Sequence, residues 1–197
     1  MTLDCTKPCR IAILGTGRMG TSLFDLFSGQ GHDIAWVSRT SRRAHELNTR
    51  WHKQVARSMR YGLLSAEQCE ERKERVFATD DMRRINDADI IIETVIEDLS
   101  AKRSVLSRAA EHAKQSAVIA SNSSSLLPNE LAIEGVDASR LLGLHFFFPI
   151  SVNGIVEVVT HDRLNPDVCS DVEGFLQRNG FFCIRQGLHN AFIINML

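Results

Sequence analysis

Six residues near the start of the chain, Gly15-Thr16-Gly17-Arg18-Met19-Gly20, constrain its fold more than any others. They lie between a short β-rich run, RIAIL, and a segment in which Met19, Leu23, Leu26 and Phe27 recur at helical spacing until Gly29 and Gly31 stop it. A strand, a tight turn and a helix in that order place the free N–H groups of the helix N-terminus at the turn, where they and the helix dipole favour an anion. Within the motif, Gly15 permits the turn, Gly17 lets backbone approach a pyrophosphate, and Gly20 lets the helix pack close to the strand. Arg18 and Met19 complete this cofactor-binding loop.

The alternation continues. DIAWVS (33–38) follows at the distance of a βαβ crossover. Residues 41–73 are charged and helical with a break at YGLLS (61–65), so the spacing predicts a helical hairpin inserted into the alternation. Strands at VFAT, ADIIIET, SAVIAS, LLGLHFF, GIVEVVT and FFCIRQ are interleaved with helices over about 99–114, near Pro128 and over about 166–179. Apolar strands alternating with amphipathic helices imply a mostly parallel sheet covered on both faces. The expectation is α/β: a doubly wound, Rossmann-type dinucleotide-binding domain over residues 1–187.

Charge and composition exclude other classes. A formal net charge of -1 over 197 residues offers no electrostatic case for nucleic acid or for an anionic membrane surface. No apolar run approaches the roughly 20 residues that cross a bilayer, and MTLDCTKPCR lacks the apolar core of a secretory signal. The expected location is therefore cytoplasmic. Cys5, Cys9, Cys69, Cys169 and Cys183 are scattered without CxxC spacing, which predicts reduced thiols and no metal site.

The end of the second strand bears on the choice of dinucleotide. A carboxylate there accepts hydrogen bonds from a ribose 2′-hydroxyl, yet the chain has Ser38-Arg39-Thr40, with Arg42 and Arg43 following. A hydroxyl and a guanidinium suit a 2′-phosphate, so these three residues favour NADP(H) over NAD(H).

Taken in order, GTGRMG, IIETVIEDLSAK, ASNSSSL, GLHFFFP and IVEVV resemble the 3-hydroxyacyl-CoA dehydrogenase family over nearly the whole chain. The resemblance implies an oxidoreductase that interconverts 3-hydroxyacyl and 3-oxoacyl thioesters, carried on CoA or an acyl carrier protein, with a nicotinamide cofactor. It makes His145 the catalytic acid/base, Glu157 its carboxylate partner, and Ser124 and Asn195 the groups that hold the substrate oxygen. Glu97, Lys102 and Asn122 fall on the nicotinamide-ribose side of the cofactor site. A helical domain beginning near residue 188 and a homodimer formed through it are also implied.

The chemistry of these residue types agrees. Hydride transfer to or from a carbon bearing oxygen needs a proton moved at that oxygen, and an imidazole titrating near neutral pH is suited to it. A carboxylate behind the ring orients it and stabilises the imidazolium. The competing reading is a nucleotide-binding module of the same fold whose catalysis has lapsed.

Some positions depart from the family pattern. Phe148 stands where the family has an asparagine, which predicts a more apolar substrate pocket. Asn195 is followed by two residues only, so almost all of the implied helical domain lies outside this sequence, and the sequence does not separate a fragment from a short protein. In the hairpin, Leu47, Trp51, Val55 and Met59 form an apolar stripe, while Arg50, Lys53, Arg57 and Arg60 form a basic face that suits CoA phosphates, a carrier protein or simply solvent.

Overall fold

The computed structural model describes residues 8–132, 134–188 and 192. Asn195, and with it nearly all of the expected start of a helical domain, falls outside the described residues.

The strands are β1 (Arg10–Leu14), β2 (Asp33–Val37), β3 (Val76–Thr79), β4 (Ile90–Glu93), β5 (Val118–Ser121), β6 (Leu141–Phe146), β7 (Ile155–Val159) and β8 (Phe182–Gln186). They form one sheet in the order β3-β2-β1-β4-β5-β6-β7-β8. Every neighbouring pair is parallel except β6 and β7, which run antiparallel. The order reverses between β1 and β4, which is where a doubly wound sheet opens a crevice at the carboxyl ends of its strands.

The helices are α1 (Arg18–Gly29), α2 (Ser41–Arg60), α3 (Ala66–Arg75), α4 (Leu99–His112), α5 (Pro128–Leu131) and α6 (Pro166–Arg178). Their starts are marked in the sequence. Thr40, Asp98 and Asn165 cap α2, α4 and α6 through their side chains, and Ser65 with Gln68 forms a capping box on α3.

Two cores lie on opposite faces of the sheet. Ile11, Ile13, Ile34, Trp36, Ile90 and Ile92 share a cluster with Leu23 and Phe27 of α1 and Val172 of α6, whereas Ala12, Leu14 and Ile91 pack with Leu106 and Ala109 of α4. Alternate residues of one strand thus enter different cores, and this is why the strands read as unbroken apolar runs.

The hairpin forms as expected, with α2 and α3 joined through residues 61–65. Leu47, Trp51 and Val55 are buried, but Met59 is 45% exposed. Cys69 of α3 reaches the helix at the Val55 carbonyl, one turn before Met59. No described helix is long and apolar enough to cross a membrane.

Candidate active site

The glycine loop is built as its spacing requires. Gly15 adopts φ +115°, and a Cβ there would lie 2.8 Å from the Thr94 hydroxyl. A Cβ on Gly20 would come within 2.2 Å of the Gly15 carbonyl oxygen, so the close approach of α1 to the loop demands glycine. At Gly17 an added Cβ meets nothing within 4 Å, leaving open space over the backbone.

The loop is pinned from three sides. Trp36 Nε1 donates to the Gly15 carbonyl at 2.8 Å, Gly15 N donates to Val37 O at 3.0 Å, and Thr94 Oγ1 donates to Leu14 O at 3.0 Å. The α1 N-terminus has no side-chain cap and no acidic residue in its first turn, so its N–H groups are left for an anion. Met19 packs partly against the core, and the Arg18 guanidinium lies 5.3 Å above the centre of the Phe148 ring.

From this loop a cleft of about 550 Å³ runs between the carboxyl ends of β2, β1 and β4 and the near face of α4. Its walls include Gly15, Gly17, Ser38, Arg39, Asp80, Val95, Ile96, Val105 and Arg108.

The structure separates the three residues expected to choose the cofactor. Ser38 is nearly buried and donates its hydroxyl to Thr40 O at 2.8 Å; the Thr40 hydroxyl accepts from Arg43 N as the cap of α2. Thr40 does not line the cleft, and of these three residues only Arg39 brings a charged group to it. Asp80 was not singled out in the sequence. Pairing of Val37 with Thr79 brings this carboxylate beside Ser38, a neighbour that only the β2–β3 register reveals.

Beyond β4 lies a buried polar cluster. Lys102, 1% exposed, places Nζ 2.9 Å from Glu93 and 3.2 Å from Glu97. Glu93 is fully buried and also accepts from Ser121 Oγ and Val95 N. Lys102 thus lies beneath the cleft wall, holding the carboxylates, instead of presenting its charge to the cleft. Glu97 accepts from the Ser123 and Ser125 hydroxyls and from the backbone N–H groups of Ser124 and Ser125. Burial pushes the Glu97 carboxyl up, but the serine hydroxyls and Lys102 outweigh it and hold the group at about 2.

Asn122 links this cluster to the next strand. Its backbone N donates to Glu93 O at 2.8 Å, and its Oδ1 accepts from Phe146 N at 3.0 Å. The ends of β4, β5 and β6 are thereby joined along one edge of the sheet.

His145 stands at that edge, near the end of β6. The antiparallel register pairs it with Glu157 on β7, and His145 Nδ1 lies 2.7 Å from Glu157 Oε2. His145 is 6% exposed and Glu157 fully buried. A buried carboxylate is an acceptor, so Nδ1 is the donor in this bond and Nε2 is the ring nitrogen not engaged by Glu157. The other Glu157 oxygen accepts from Gln186 Nε2 at 2.9 Å. Gln186, at the end of β8, is a second site residue that sequence reading missed; its only signal was a polar residue closing a strand. The Phe147 and Phe192 rings flank the imidazole at 4.4 and 5.7 Å.

A doubly wound sheet with a glycine loop at its switch point defines a dinucleotide-binding domain. Comparison with known proteins narrows the class. The family model described as "3-hydroxyacyl-CoA dehydrogenase, NAD binding domain" matches residues 10–186. The chain belongs to that family. It is 28% identical over 151 residues to the 3-hydroxybutyryl-CoA dehydrogenase of Clostridioides difficile, covering 77% of this chain and 54% of that protein. A crystal structure of 3-hydroxybutyryl-CoA dehydrogenase from Escherichia coli K12 superposes with a TM-score of 0.81 at 25% identity, over 96% of this chain and 40% of that one. The fold is shared too with (S)-3-hydroxybutyryl-CoA dehydrogenase from Ralstonia eutropha, at TM-score 0.81 and 21% identity over 97% of this chain and 68% of that one. The chain spans about half the length of the first of these relatives.

Proposed function

We propose that this chain is the nucleotide-binding and acid/base part of an oxidoreductase that interconverts a 3-hydroxyacyl and a 3-oxoacyl thioester with a nicotinamide cofactor. The observation that carries this reading is the buried His145–Glu157 pair at the carboxyl edge of the sheet, tied through Asn122 to the strand that borders the dinucleotide cleft. The cleft fits such a cofactor: open space over Gly17 and an uncapped α1 N-terminus suit the diphosphate, and apolar walls at Val95, Ile96 and Val105 suit a flat base. When bound, the nicotinamide supplies or accepts the hydride.

The protein's own residues handle the proton. His145 Nε2 accepts it from the substrate hydroxyl during oxidation and returns it during reduction, and Glu157 stabilises the imidazolium between those events. Gln186 keeps the second carboxylate oxygen satisfied, so the first stays aimed at the ring. Ser124, whose backbone is fixed by Glu97, and Asn195 hydrogen-bond the substrate oxygen in this reading. Arg39, exposed at the cleft without a carboxylate partner, supports NADP(H); Asp80, a carboxylate able to accept a ribose hydroxyl, is the observation that favours NAD(H). The thioester is carried on CoA or an acyl carrier protein, and the implied helical domain would form the homodimer.

The test follows NADPH and NADH absorbance on addition of acetoacetyl-CoA, with free acetoacetate as the control. Thioester-dependent oxidation is expected. A protein that binds the dinucleotide but never oxidises it with thioester would instead be a non-catalytic module, and the proposal would fall.

A further inference from the structure

One cation in the cleft has no part in the reading above. Ala101, Ser104, Val105 and Arg108 of α4 fall at i, i+3, i+4 and i+7, one stripe of the helix, and all four line the dinucleotide cleft. The apolar members give the stripe its contact surface, and Arg108 closes it toward the C-terminal end of α4.

Two arginines, Arg39 and Arg108, enter this cleft from different elements. Neither guanidinium has an ion pair, a hydrogen bond or an aromatic partner among the described residues. Most arginines elsewhere are committed: Arg10 to Asp87, Arg50 to Asp25, Arg75 to Asp33 and Arg185 to Glu173. Against the two guanidiniums the cleft walls offer one carboxylate, Asp80, leaving an excess of positive charge. The diphosphate has its own anion site at the α1 N-terminus, so it does not explain these cations.

We infer that Arg39 and Arg108 form a two-sided clamp for a phosphomonoester on the adenosine end of the cofactor, with Arg108 as its second guanidinium. This rests on the NADP(H) reading that Arg39 supports and adds a specificity-determining residue to it. A neutral 2′-hydroxyl would leave both guanidiniums unspent. A 2′-phosphate offers each of them acceptor oxygens in the forked geometry that arginine matches. The alternative use of Arg108, stacking on the adenine, serves phosphorylated and unphosphorylated nucleotides equally, and that difference makes the two separable.

The experiment titrates the wild-type chain, Arg108→Ala and Arg108→Lys with NADPH, NADH, adenosine 2′,5′-bisphosphate and 5′-AMP, reading binding by calorimetry. Arg108→Ala should weaken both phosphorylated ligands about tenfold or more, the scale of a lost hydrogen bond to a charged group. NADH and 5′-AMP should change less than about twofold, and lysine, which keeps the charge, should restore part of the loss. A wild type that prefers NADPH while Arg108→Ala weakens all four ligands alike, or none, overturns the clamp and leaves the cofactor preference standing. A wild type that prefers NADH overturns both.

Discussion

Replacing Glu97 by glutamine removes one charge from the junction that ties the β4–α4 loop to the serine loop after β5. The carboxyl lies at about 2 in the folded protein against the usual 4.5. That drop is worth roughly 3 kcal/mol at face value. Its side chain is 37% exposed, so solvent screening reduces the stabilising effect to about 1 kcal/mol. The sign follows from the depressed value: the contribution is fully present above about pH 4.5 and is lost as pH falls towards 2. Glutamine keeps an oxygen to accept from the Ser124 and Ser125 N–H groups, so the substitution isolates the charge. Urea denaturation of wild type and Glu97→Gln at neutral pH should show the variant less stable by about 1 kcal/mol. The gap should narrow steadily below pH 4.5. Equal stability at neutral pH, or a gap that stays constant into acid, would refute the reasoning.

Other outcomes follow from the same geometry. Gly20→Ala should lower stability by about 1–3 kcal/mol, because its Cβ would sit 2.2 Å from the Gly15 carbonyl oxygen, whereas Gly17→Ala should leave the melting curve in place and abolish most dinucleotide binding. Thermal melts and nucleotide titration on the two variants check both halves. Gln186→Leu withdraws a donor to a buried Glu157 oxygen and should cost about 1–3 kcal/mol in denaturant unfolding. Unchanged stability would show that another group already satisfies that oxygen. Glu157→Gln should lower turnover by about two orders of magnitude while dinucleotide affinity stays within error, measured on the same preparation.

Most strands were legible because they are short runs of largely apolar residues, as at Asp33–Val37 and Val76–Thr79. The glycine loop was legible for a related reason: each glycine answers a separate steric demand that sequence spacing records. Residues whose roles arise from register were not. Asp80 reaches the cleft only because β3 pairs with β2, and Gln186 reaches Glu157 only because β8 lies beside β7. The capping role of Thr40 was hidden for a local reason. A threonine before a helix is as good a cap as a phosphate ligand, and here the cap takes its hydroxyl. The burial of Lys102 was hidden as well, since its motif position says nothing of the two carboxylates that hold it beneath the wall.

Transfer of deuterium tests the central claim most directly. NADPH deuterated at the transferable nicotinamide C4 position is supplied with acetoacetyl-CoA, and the 3-hydroxyacyl product is analysed by mass spectrometry for wild type and for His145→Gln. Label is expected at the acyl C3 carbon with wild type, and at a rate about two orders of magnitude lower with His145→Gln, while both proteins bind the dinucleotide equally. Labelling by His145→Gln at the wild-type rate would contradict the account, as would an unlabelled product from wild type.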